Sequence, residues 1–445
     1  MSSKNPSVPT PPAFIADKTI IVAGAGIGGL AFAISLRQQW PSSSSSPKPK
    51  LHIYERDSYE NRVGREGYTL SLRTDFTSGG IQALDRMGLY ERVQDLCVAG
   101  SSTTTSGQEG ARKSSMVIWD SRWRAIVRVA SLPVRVGDKE LRHGRIRRNV
   151  LQGVLADAAI EGGDEIHWGT KIVDVTRAPD GKLSVSLSDG SESVCDVLVA
   201  ADGARSAIRG KLRPDDTLDF AGVVCLGGTA RYESADEVPK PLDRDWGAVL
   251  GGKGVGLFMA PVDERSALWS LSWYAKEPRE RVRHPMSHEQ VEALLKEARS
   301  LAKTFPPRLD AMISATDPTT LMLFNAMDRP PLAHTPAEHG PVVWIGDANH
   351  AVSPFAGNGA NMALMDGWDL AGAFCRARSL AEALEEYDGL SMKRAGTVLK
   401  MSRWSIDMMH ATGLKLLLYL LLFKILGFFG GFKDVRFGSE EGGCG

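Results

Sequence analysis

The sequence of 445 residues predicts an α/β fold: a Rossmann-like nucleotide-binding domain with an inserted mixed-sheet domain and C-terminal helices. Three observations lead to this prediction. A glycine motif follows a short apolar strand near the N-terminus, and apolar strands that end in Asp-Gly or Gly-Asp recur far downstream. Short strand-like runs fill much of the stretch between them. The length is enough for two or three ordinary domains.

A glycine-rich turn separates the first strand from the first helix. Residues 18–23 are a short β-branched run, and residues 30–39 form an apolar helix. Between them Gly24, Gly26 and Gly29 match G-x-G-x-x-G, which permits a tight turn and lets backbone N–H groups approach a pyrophosphate. The motif alone is common, but its place between a strand and a helix predicts a dinucleotide site.

An acidic residue at the end of the second strand extends this pattern. Residues 51–54 form the strand, and Glu55 is the carboxylate expected to bind ribose hydroxyl groups. It comes late in the chain because the low-complexity stretch 41–50 lengthens the loop before it. A packing turn beside a surface glutamate is the alternative.

The remaining elements of the nucleotide-binding domain follow from apolar spacing. Two Asp-Gly pairs, at 180–181 and 189–190, indicate hairpins between residues 172 and 194. Continuous apolar runs predict strands over 195–201 and 341–345, and helices are expected from near Gly359 to about residue 412. A further helix is predicted over 145–160, with these residues on its apolar face: Ile146, Val150, Leu151, Val154 and Leu155.

The inserted domain has a different texture. Runs at 223–232, 248–257 and 267–274 predict antiparallel strands, and one helix is expected over 287–303. Residues 101–106 are expected to form a loop. The predicted division is a disordered lead-in (1–17), a nucleotide-binding domain (18–90, 140–215 and 340–412), a second domain (91–139 and 216–339) and an apolar tail (413–445).

Composition excludes several classes of protein. Hydrophobic residues make up 43% of the chain and charged residues 24%, and the formal net charge is zero. No global field therefore favours nucleic acid. The five cysteines form no C-x-x-C pair, which indicates reduced thiols of an intracellular protein.

Two further motifs make the prediction more specific. Residues 202–209 (DGARSAIR) follow a buried strand and fit D-G-x-x-S-x-x-R, and Gly346-Asp347 leads into residues 354–361 (PFAGNGAN). With the glycine motif, they resemble the three signatures of the single-component flavoprotein aromatic hydroxylases. That family includes p-hydroxybenzoate hydroxylase, salicylate hydroxylase and the tetracycline-modifying monooxygenases. The resemblance covers roughly residues 18–410, and residues 54–57 and 354–361 are most similar to the tetracycline-modifying branch and fungal relatives.

The resemblance implies an FAD site. Asp347 would bind the ribityl chain, and the following glycine stretch would bring a helix N-terminus, whose dipoles stabilise negative charge on the reduced ring, to the flavin. Arg148 would approach the flavin, and the segment at Gly67 would lie along the isoalloxazine ring. The implied cofactor-binding residues are Gly24, Gly26, Gly29, Glu55, Arg56, Gly67, Arg148, Asp202, Asp347, Gly357, Gly359, Ala360 and Asn361.

Two of the expected residues have alternative interpretations. Asp202 would serve both FAD and nicotinamide binding in this family, and Arg205 is a candidate catalytic residue. A structural salt bridge is the alternative for Arg205, and a helix N-cap is the alternative for Asp347.

The resemblance also implies the reaction. NAD(P)H would reduce FAD, and dioxygen would form a flavin C4a-hydroperoxide that hydroxylates or epoxidises an aromatic, polycyclic or alkenyl small molecule. No second glycine motif is present for a nicotinamide domain, so NAD(P)H is expected to bind transiently at the flavin. Strands 223–232 and 248–259 would line an apolar substrate pocket. A flavin dehydrogenase or reductase without oxygen incorporation is the alternative.

No metal centre is expected. His284 and His288 have helical spacing, but Pro285 lies between them and no third ligand is evident. The glycine-rich run 251–256 lacks the spacing of a P-loop, so a hairpin turn is expected there.

The C-terminal stretch 414–432 (LKLLLYLLLFKILGFFGGF) is unusually apolar, but Lys415 and Lys424 interrupt it. Its uninterrupted apolar core is far shorter than the ~20 residues that span a bilayer. A helix docked on the protein, an interfacial or inserted membrane anchor, and a disordered tail are all open. The protein is accordingly expected in the cytoplasm or attached to a membrane through this tail.

Overall fold

The computed structural model describes residues 13–41, 46–59, 68–74, 79–98, 115–129 and 133–429. The expected flavin contact at Gly67 and the expected loop at 101–106 lie outside these ranges.

Nineteen strands lie in the described ranges: β1 Thr19–Ala23, β2 Lys50–Glu55, β3 Thr69–Leu72, β4 Met116–Asp120, β5 Ala125–Val129, β6 Val134–Val136, β7 Lys139–Leu141, β8 Gly144–Arg147, β9 Glu165–Trp168, β10 Ile172–Arg177, β11 Leu183–Leu187, β12 Glu192–Cys195, β13 Val197–Ala200, β14 Asp219–Arg231, β15 Trp246–Leu250, β16 Val255–Asp263, β17 Ser266–Tyr274, β18 Met322–Asp328 and β19 Val342–Trp344.

Twelve α-helices lie in the same ranges: α1 Ile27–Gln39, α2 Gly80–Arg86, α3 Tyr90–Gln94, α4 Arg148–Glu161, α5 Ala207–Leu212, α6 His288–Ala302, α7 Pro307–Ser314, α8 Pro336–His339, α9 Asp347–His350, α10 Gly359–Arg376, α11 Leu380–Met409 and α12 Gly413–Phe429.

A five-stranded parallel sheet forms the centre of the nucleotide-binding domain. Its strand order is β19-β13-β1-β2-β9, so segments far apart in the chain are neighbours in space. The register pairs Ile20 with Val197 on one side of β1 and with Leu51 on the other. Helices α1, α4 and α10 contribute to the apolar core on one face, and the antiparallel sheet β10-β11-β12 covers the other. The predicted Rossmann-like α/β class is confirmed.

Two predicted elements of this domain have different limits. The run 195–201 divides into β12 and β13, because Asp196 turns its carboxylate to the backbone N–H of Thr19 (2.9 Å) between the two sheets. The helix expected from residue 145 begins at Arg148, because residues 144–147 pair instead with β3.

The second large sheet has seven strands in the order β18-β14-β17-β16-β15-β4-β5. The run 248–257, predicted as one strand, forms parts of two, and the glycine-rich stretch between β15 and β16 makes the expected hairpin turn. Helices α6 and α7 pack on one face of this sheet. The opposite face packs against α11, α12 and Phe355. The exact limits of the two domains stay a prediction.

Part of the expected disordered lead-in is packed against the protein. Ile15 is fully buried, and the Phe14 ring meets the Phe374 ring of α10 edge-on at 5.3 Å between centroids. Residues 13–17 are therefore ordered, because they cover apolar side chains of the main core.

The C-terminal helix α12 packs on the protein with one face. Leu416, Tyr419, Leu420 and Phe423 contact the core formed by β4, β5, β15 and the end of α11. The opposite stripe of the helix is exposed and consists of Leu414, Leu417, Leu418, Leu421, Leu422 and Ile425. None of the helices in the described part of the chain has both the length and the apolar character that crossing a bilayer requires.

Close packing between α1 and α10 depends on Gly367. A Cβ atom added there would lie 2.5 Å from the backbone nitrogen of Phe32 and 2.7 Å from the carbonyl carbon of Ala31. We expect Gly367→Ala to lower the free energy of unfolding by about 1–3 kcal/mol, measured by urea denaturation, because the two helices must separate. Gly389→Ala is the matched control: this exposed glycine of α11 has open space around it. Alanine there should stabilise by about 0.5–1 kcal/mol. Equal effects of the two changes would contradict this account of the packing.

Candidate functional site

The three sequence motifs meet at one edge of the parallel sheet. Strands β19, β13 and β1 are adjacent and parallel, so their carboxyl ends lie together. Gly24 follows β1, Asp202 follows β13, and Asp347 follows β19 after a short turn. Glu55 ends β2, the next strand of the same sheet. Nucleotide ligands bind at this edge in open α/β sheets.

The glycine turn lets two strand ends approach closely. Gly24 has a φ of +108°, and a Cβ atom there would lie 2.7 Å from the carbonyl oxygen of Ala201. Only glycine accommodates both this conformation and this contact. Gly26 precedes the first turn of α1, and Gly29 lies within that turn against Val22.

Glu55 fixes the glycine turn. It is 7% exposed, and its carboxylate accepts hydrogen bonds from the backbone N–H groups of Ala25 (2.8 Å) and Asp57 (3.0 Å). The Gln152 side chain donates to the carbonyl oxygen of Ala25 at 2.8 Å. Glu55 is thus part of the turn rather than a surface residue, while the neighbouring Arg56 side chain is half exposed. Whether Glu55 also binds ribose stays a prediction.

Asp202 has one engaged and one free carboxylate oxygen. Its Oδ2 accepts from the backbone N–H of Ala207 at 2.7 Å at the start of α5. Its Oδ1 is buried without a hydrogen-bond partner among the described residues. Burial raises the pKa of this carboxyl group. A buried, unpartnered acceptor at the ligand-binding edge indicates that a donor is supplied from outside the protein.

Arg205 lies on the exposed side of the same motif. Its side chain lines a cavity of about 130 Å³ whose walls include Arg279, Arg281, Phe324 and Met327. This cavity adjoins β18 of the second sheet. This volume is too small for a dinucleotide, and the catalytic role of Arg205 stays a prediction.

Asp347 lies beside the first turn of α10. The residue is exposed to solvent, yet enough protein surrounds its carboxyl group that desolvation raises the pKa. The charges of His350 and Arg148 partly offset this effect. Arg148 is therefore within electrostatic range of Asp347, although it comes from the start of a different helix. A Cβ atom on Gly359 would lie 3.8 Å from Asp347 Oδ1, so the first turn of α10 adjoins the same carboxylate.

The end of the third motif holds the strand β3 in place. Asn361 is fully buried; its side chain accepts from the backbone N–H of Arg73 (2.9 Å) and donates to the carbonyl oxygen of Ser71 (2.8 Å). Its side-chain amide is thereby committed to the protein. Gly357 has a φ of +63° with open space around it, and Ala360 lies partly buried in the first turn of α10.

A buried ionic network lies next to Asp347 and includes His350 of the same short helix, α9. His350 Nε2 lies 2.6 Å from Asp366 Oδ2, and Arg394 donates to Asp366 Oδ1 at 2.9 Å. Burial alone would lower the pKa of His350 and raise that of Asp366, but the attraction between them reverses both shifts. The pair is therefore charged, and it connects α9 to α10 and α11.

The sequence did not indicate a group of basic side chains at β8 and beside the ends of β3 and β8. Arg145 is 3% exposed, and its guanidinium lies 4.6 Å from the centroid of the Trp246 ring. Burial and the charges of Arg145 and Arg73 lower the pKa of His143 to about 4, so this imidazole is neutral at pH 7. The run 144–147 contains too few residues to show the period of a strand, so no sequence signal marked these side chains as buried.

One group of possible metal ligands lies in the described ranges, at the outer edge of the parallel sheet. Ligand atoms of His52, Glu165 and His167 lie within 4.8 Å of one another. The two imidazole rings are stacked at 5.8 Å, and Glu165 is exposed. Groups of this kind are common on protein surfaces without an ion, so we assign no metal to it. His284 and His288 are exposed and do not belong to it.

The site fits an FAD molecule. Glycines without side chains form the turn before α1, Asp202 Oδ1 has no donor among the described residues, and Asp347 is exposed beside the N-terminus of α10. A Rossmann-like domain with an acidic residue at the end of its second strand and these two further motifs defines a flavoprotein.

Comparison with known proteins also indicates a flavoprotein. The family described as FAD binding domain matches residues 77–400. A monooxygenase of Aspergillus candidus, cfoF, is 36% identical over 408 residues, which covers 90% of this chain and 93% of that protein. The chain belongs to the FAD binding domain family, and it is an FAD-dependent monooxygenase.

Solved structures share the fold. The crystal structure of Klebsiella pneumoniae HpxO with FAD and uric acid has a TM-score of 0.69 and 21% identity, covering 93% of this chain and 94% of that one. The tetracycline destructase Tet(55) has a TM-score of 0.65 and 15% identity, covering 96% and 99%.

The buried network should contribute strongly to stability. We expect Asp366→Asn to lower the free energy of unfolding by about 3–5 kcal/mol, because it leaves the buried His350 without its counter-charge and removes one of the two carboxylates that pair with Arg394. Replacing Glu386, which pairs with Arg376 on the surface, by Gln is the control and should change little.

The stability that Asp366→Asn removes should depend on pH. The contribution of Asp366 to the free energy of unfolding is present above its ordinary pKa of about 4 and is lost as pH falls. The contribution of His350 to the free energy of unfolding is present below its ordinary pKa of about 6.5. It is lost as pH rises through the raised pKa that His350 has in the folded protein. The difference between wild type and Asp366→Asn, measured by denaturation from pH 3 to 9, should therefore be largest between these limits. A difference that does not vary with pH would contradict the charged pair.

Proposed function

We propose that the protein takes electrons from NAD(P)H and places one oxygen atom of dioxygen on an apolar aromatic, polycyclic or alkenyl small molecule, by hydroxylation or epoxidation. One observation carries the substrate class. The apolar face of the seven-stranded sheet meets Phe355, which lies within the third cofactor motif.

This apolar face fits a substrate without charge. Val223 and Cys225 of β14 and Ala248 and Leu250 of β15 are buried on it. Phe324 and Phe258 are partly buried beside them and complete a hydrophobic wall. Helices α11 and α12 cover part of this face, so an apolar ligand would bind at its partly buried aromatic side chains, Phe258, Phe324 and Phe355, through the area that it removes from water. Relatives of this chain include a urate hydroxylase and zeaxanthin epoxidases, so hydroxylation and epoxidation are both represented among them.

The residues that hold FAD would be those at the carboxyl edge of the parallel sheet. The turn at Gly24, Gly26 and Gly29 would present backbone N–H groups to the pyrophosphate, and Glu55 would bind ribose. Asp202 Oδ1 and Asp347 would accept hydrogen bonds from the cofactor, with Arg148 beside Asp347. The N-terminus of α10, with Gly357 to Asn361, would face the flavin ring. When bound, FAD supplies the transfer of electrons from the nicotinamide to dioxygen.

The chain itself excludes water and fixes the reacting groups. Phe355 and the sheet face would keep the side of the site next to the flavin ring apolar and so would limit the access of water to it. The buried network of His350, Asp366 and Arg394 holds the third motif at a fixed position. The fixed amide dipoles of α10 stabilise negative charge without reorganisation.

Heavy-oxygen labelling tests the reaction. The purified protein is incubated with NADH or NADPH, a panel of aromatic and polycyclic compounds, and ¹⁸O-labelled dioxygen. We expect nicotinamide oxidation that a substrate stimulates and a product that carries one labelled atom. A product without label would indicate a dehydrogenase or reductase, the alternative on this fold.

Replacing Asp347 tests the cofactor site. We expect Asp347→Ala to purify without yellow FAD and with an unchanged far-ultraviolet circular dichroism spectrum, because a cofactor contact is lost and the fold is not. Glu338→Ala, at an exposed position before β19, should retain FAD. Stoichiometric FAD in the Asp347 variant would reject the assignment.

The exposed stripe of α12 suggests contact with a lipid surface. Its six leucine and isoleucine side chains lie on the face opposite the docked one. Trp404, 42% exposed, packs edge-on against Tyr419 and Phe423 at the border of this stripe, where an interfacial aromatic residue would lie. A helix about 25 Å long would bury less surface area against a second copy of the chain than the roughly 1,200 Å² of a standard interface. A lipid surface is therefore the better match.

Vesicle sedimentation tests this contact. The full chain should sediment with phosphatidylcholine vesicles, with or without phosphatidylserine, and the double variant Leu417→Asp, Leu421→Asp should not. Leu390→Asp, at an exposed leucine of α11, is the control and should bind as wild type does. If the wild-type protein formed dimers and did not bind vesicles, and the double variant were monomeric, the partner would be a second copy of the chain. That result would reject the lipid contact.

A further inference from the structure

A buried positive charge that has no acidic partner among the described residues lies on β8. The Arg145 guanidinium donates to the hydroxyl of Ser71 at 2.8 Å, to the carbonyl oxygen of Thr69 at 3.4 Å, and to the Thr69 hydroxyl. Its Nε has no partner in the described ranges. All the oxygen atoms that it meets are neutral. Burial lowers the pKa of Arg145 to about 9, so the group still carries its charge at pH 7.

The other arginines of the described residues that are equally buried pair with a carboxylate. Arg209 and Arg329 are 3% and 4% exposed, and both pair with Asp216. A buried guanidinium without such a partner destabilises the fold, since it loses its hydration without gaining a counter-charge. A packing role alone does not account for the isolated charge of Arg145.

Two contacts connect Arg145 to the third cofactor motif. Ser71, which accepts from Arg145, also accepts from the Asn361 side chain through its carbonyl oxygen, and Asn361 belongs to the first turn of α10. The neighbouring Arg73 donates from its guanidinium to the carbonyl oxygen of Ala356 at 3.3 Å. Strand β3 thus joins Arg145 to the residues that would face the flavin ring. On its other side Arg145 contacts Trp246, on the apolar face of the seven-stranded sheet.

We propose that Arg145 is a positioning residue whose uncompensated charge stabilises the negative charge that the flavin gains on reduction. This inference rests on the proposed function. A hydride from the nicotinamide brings two electrons and one proton, which leaves the reduced ring with one negative charge. Arg145 acts on that charge through the low-dielectric interior, where electrostatic interactions are stronger than in water. The reduced, anionic flavin would be the negative partner that Arg145 lacks among the described residues.

The reduction potential of the bound FAD tests this proposal independently of turnover. We expect Arg145→Met to retain FAD and to shift the equilibrium constant for two-electron reduction about tenfold toward the oxidised form, about 30 mV by dye equilibration. Arg145→Lys keeps the charge and should retain a potential close to that of wild type. Arg145→Gln provides a second neutral variant and should behave as Arg145→Met does, which keeps the test decisive should methionine prevent FAD binding.

Arg308 is the matched control. It also lies over a tryptophan, 4.0 Å from the Trp123 ring centroid, donates to the carbonyl oxygen of Arg122 at 2.9 Å, and has a buried Nε without a partner among the described residues. It lies at the start of α7, on the sheet face turned away from β3. Arg308→Met should leave the potential unchanged.

Two results would overturn the proposal. The first is a wild-type potential in an Arg145→Met or Arg145→Gln variant that holds FAD, which would leave Arg145 a structural role only. The second is an equal shift in Arg308→Met, which would make the effect one of net charge. Failure of the proposed function would be distinct, because it would appear in wild type as unlabelled product.

Discussion

Parallel pairing of β19, β13, β1 and β2 is the constraint on which the rest of the structure depends. Strand direction alone puts the residues after β1, β13 and β19 at one edge, and it puts Glu55 there too. No contact between the three motifs is needed to bring them together. Close approach then adds precision, because the glycine turn at Gly24 fits directly against Ala201. The site is therefore a property of sheet topology first and of side chains second.

The sequence predicted the parts of this site that have a local cause. The turn at Gly24 lies between a strand and a helix, and the helix from Gly359 begins where it was expected. The resemblance to flavoprotein hydroxylases correctly identified the family. Limits set by distant contacts were not predictable: residues 144–147 became a strand because β3 is available to pair with them, and residues 13–17 became ordered because α10 offers an apolar surface.

The same distinction applies to charge. Arg148 was expected near the cofactor, and its charge does act on Asp347. The network of Asp366 and Arg394 with His350 was not expected, since its members come from three helices and no single motif contains them. Arg145 was missed for a related reason. Whether an arginine is solvated or buried without a counter-charge depends on which strand lies over it, and a local pattern holds no such information.

The position of β19 has a consequence for how the chain acquires its shape during synthesis. Through this strand Val342 pairs with Leu198 of β13, and five of the seven strands of the second large sheet are translated between the two. During synthesis one edge of β13 therefore stays unpaired until the inserted domain and β19 have been translated. Exposed strand edges of this kind invite aggregation. Rapid, independent folding of the inserted domain would shorten that interval, so destabilising its core should reduce soluble yield even when the cofactor site itself is intact.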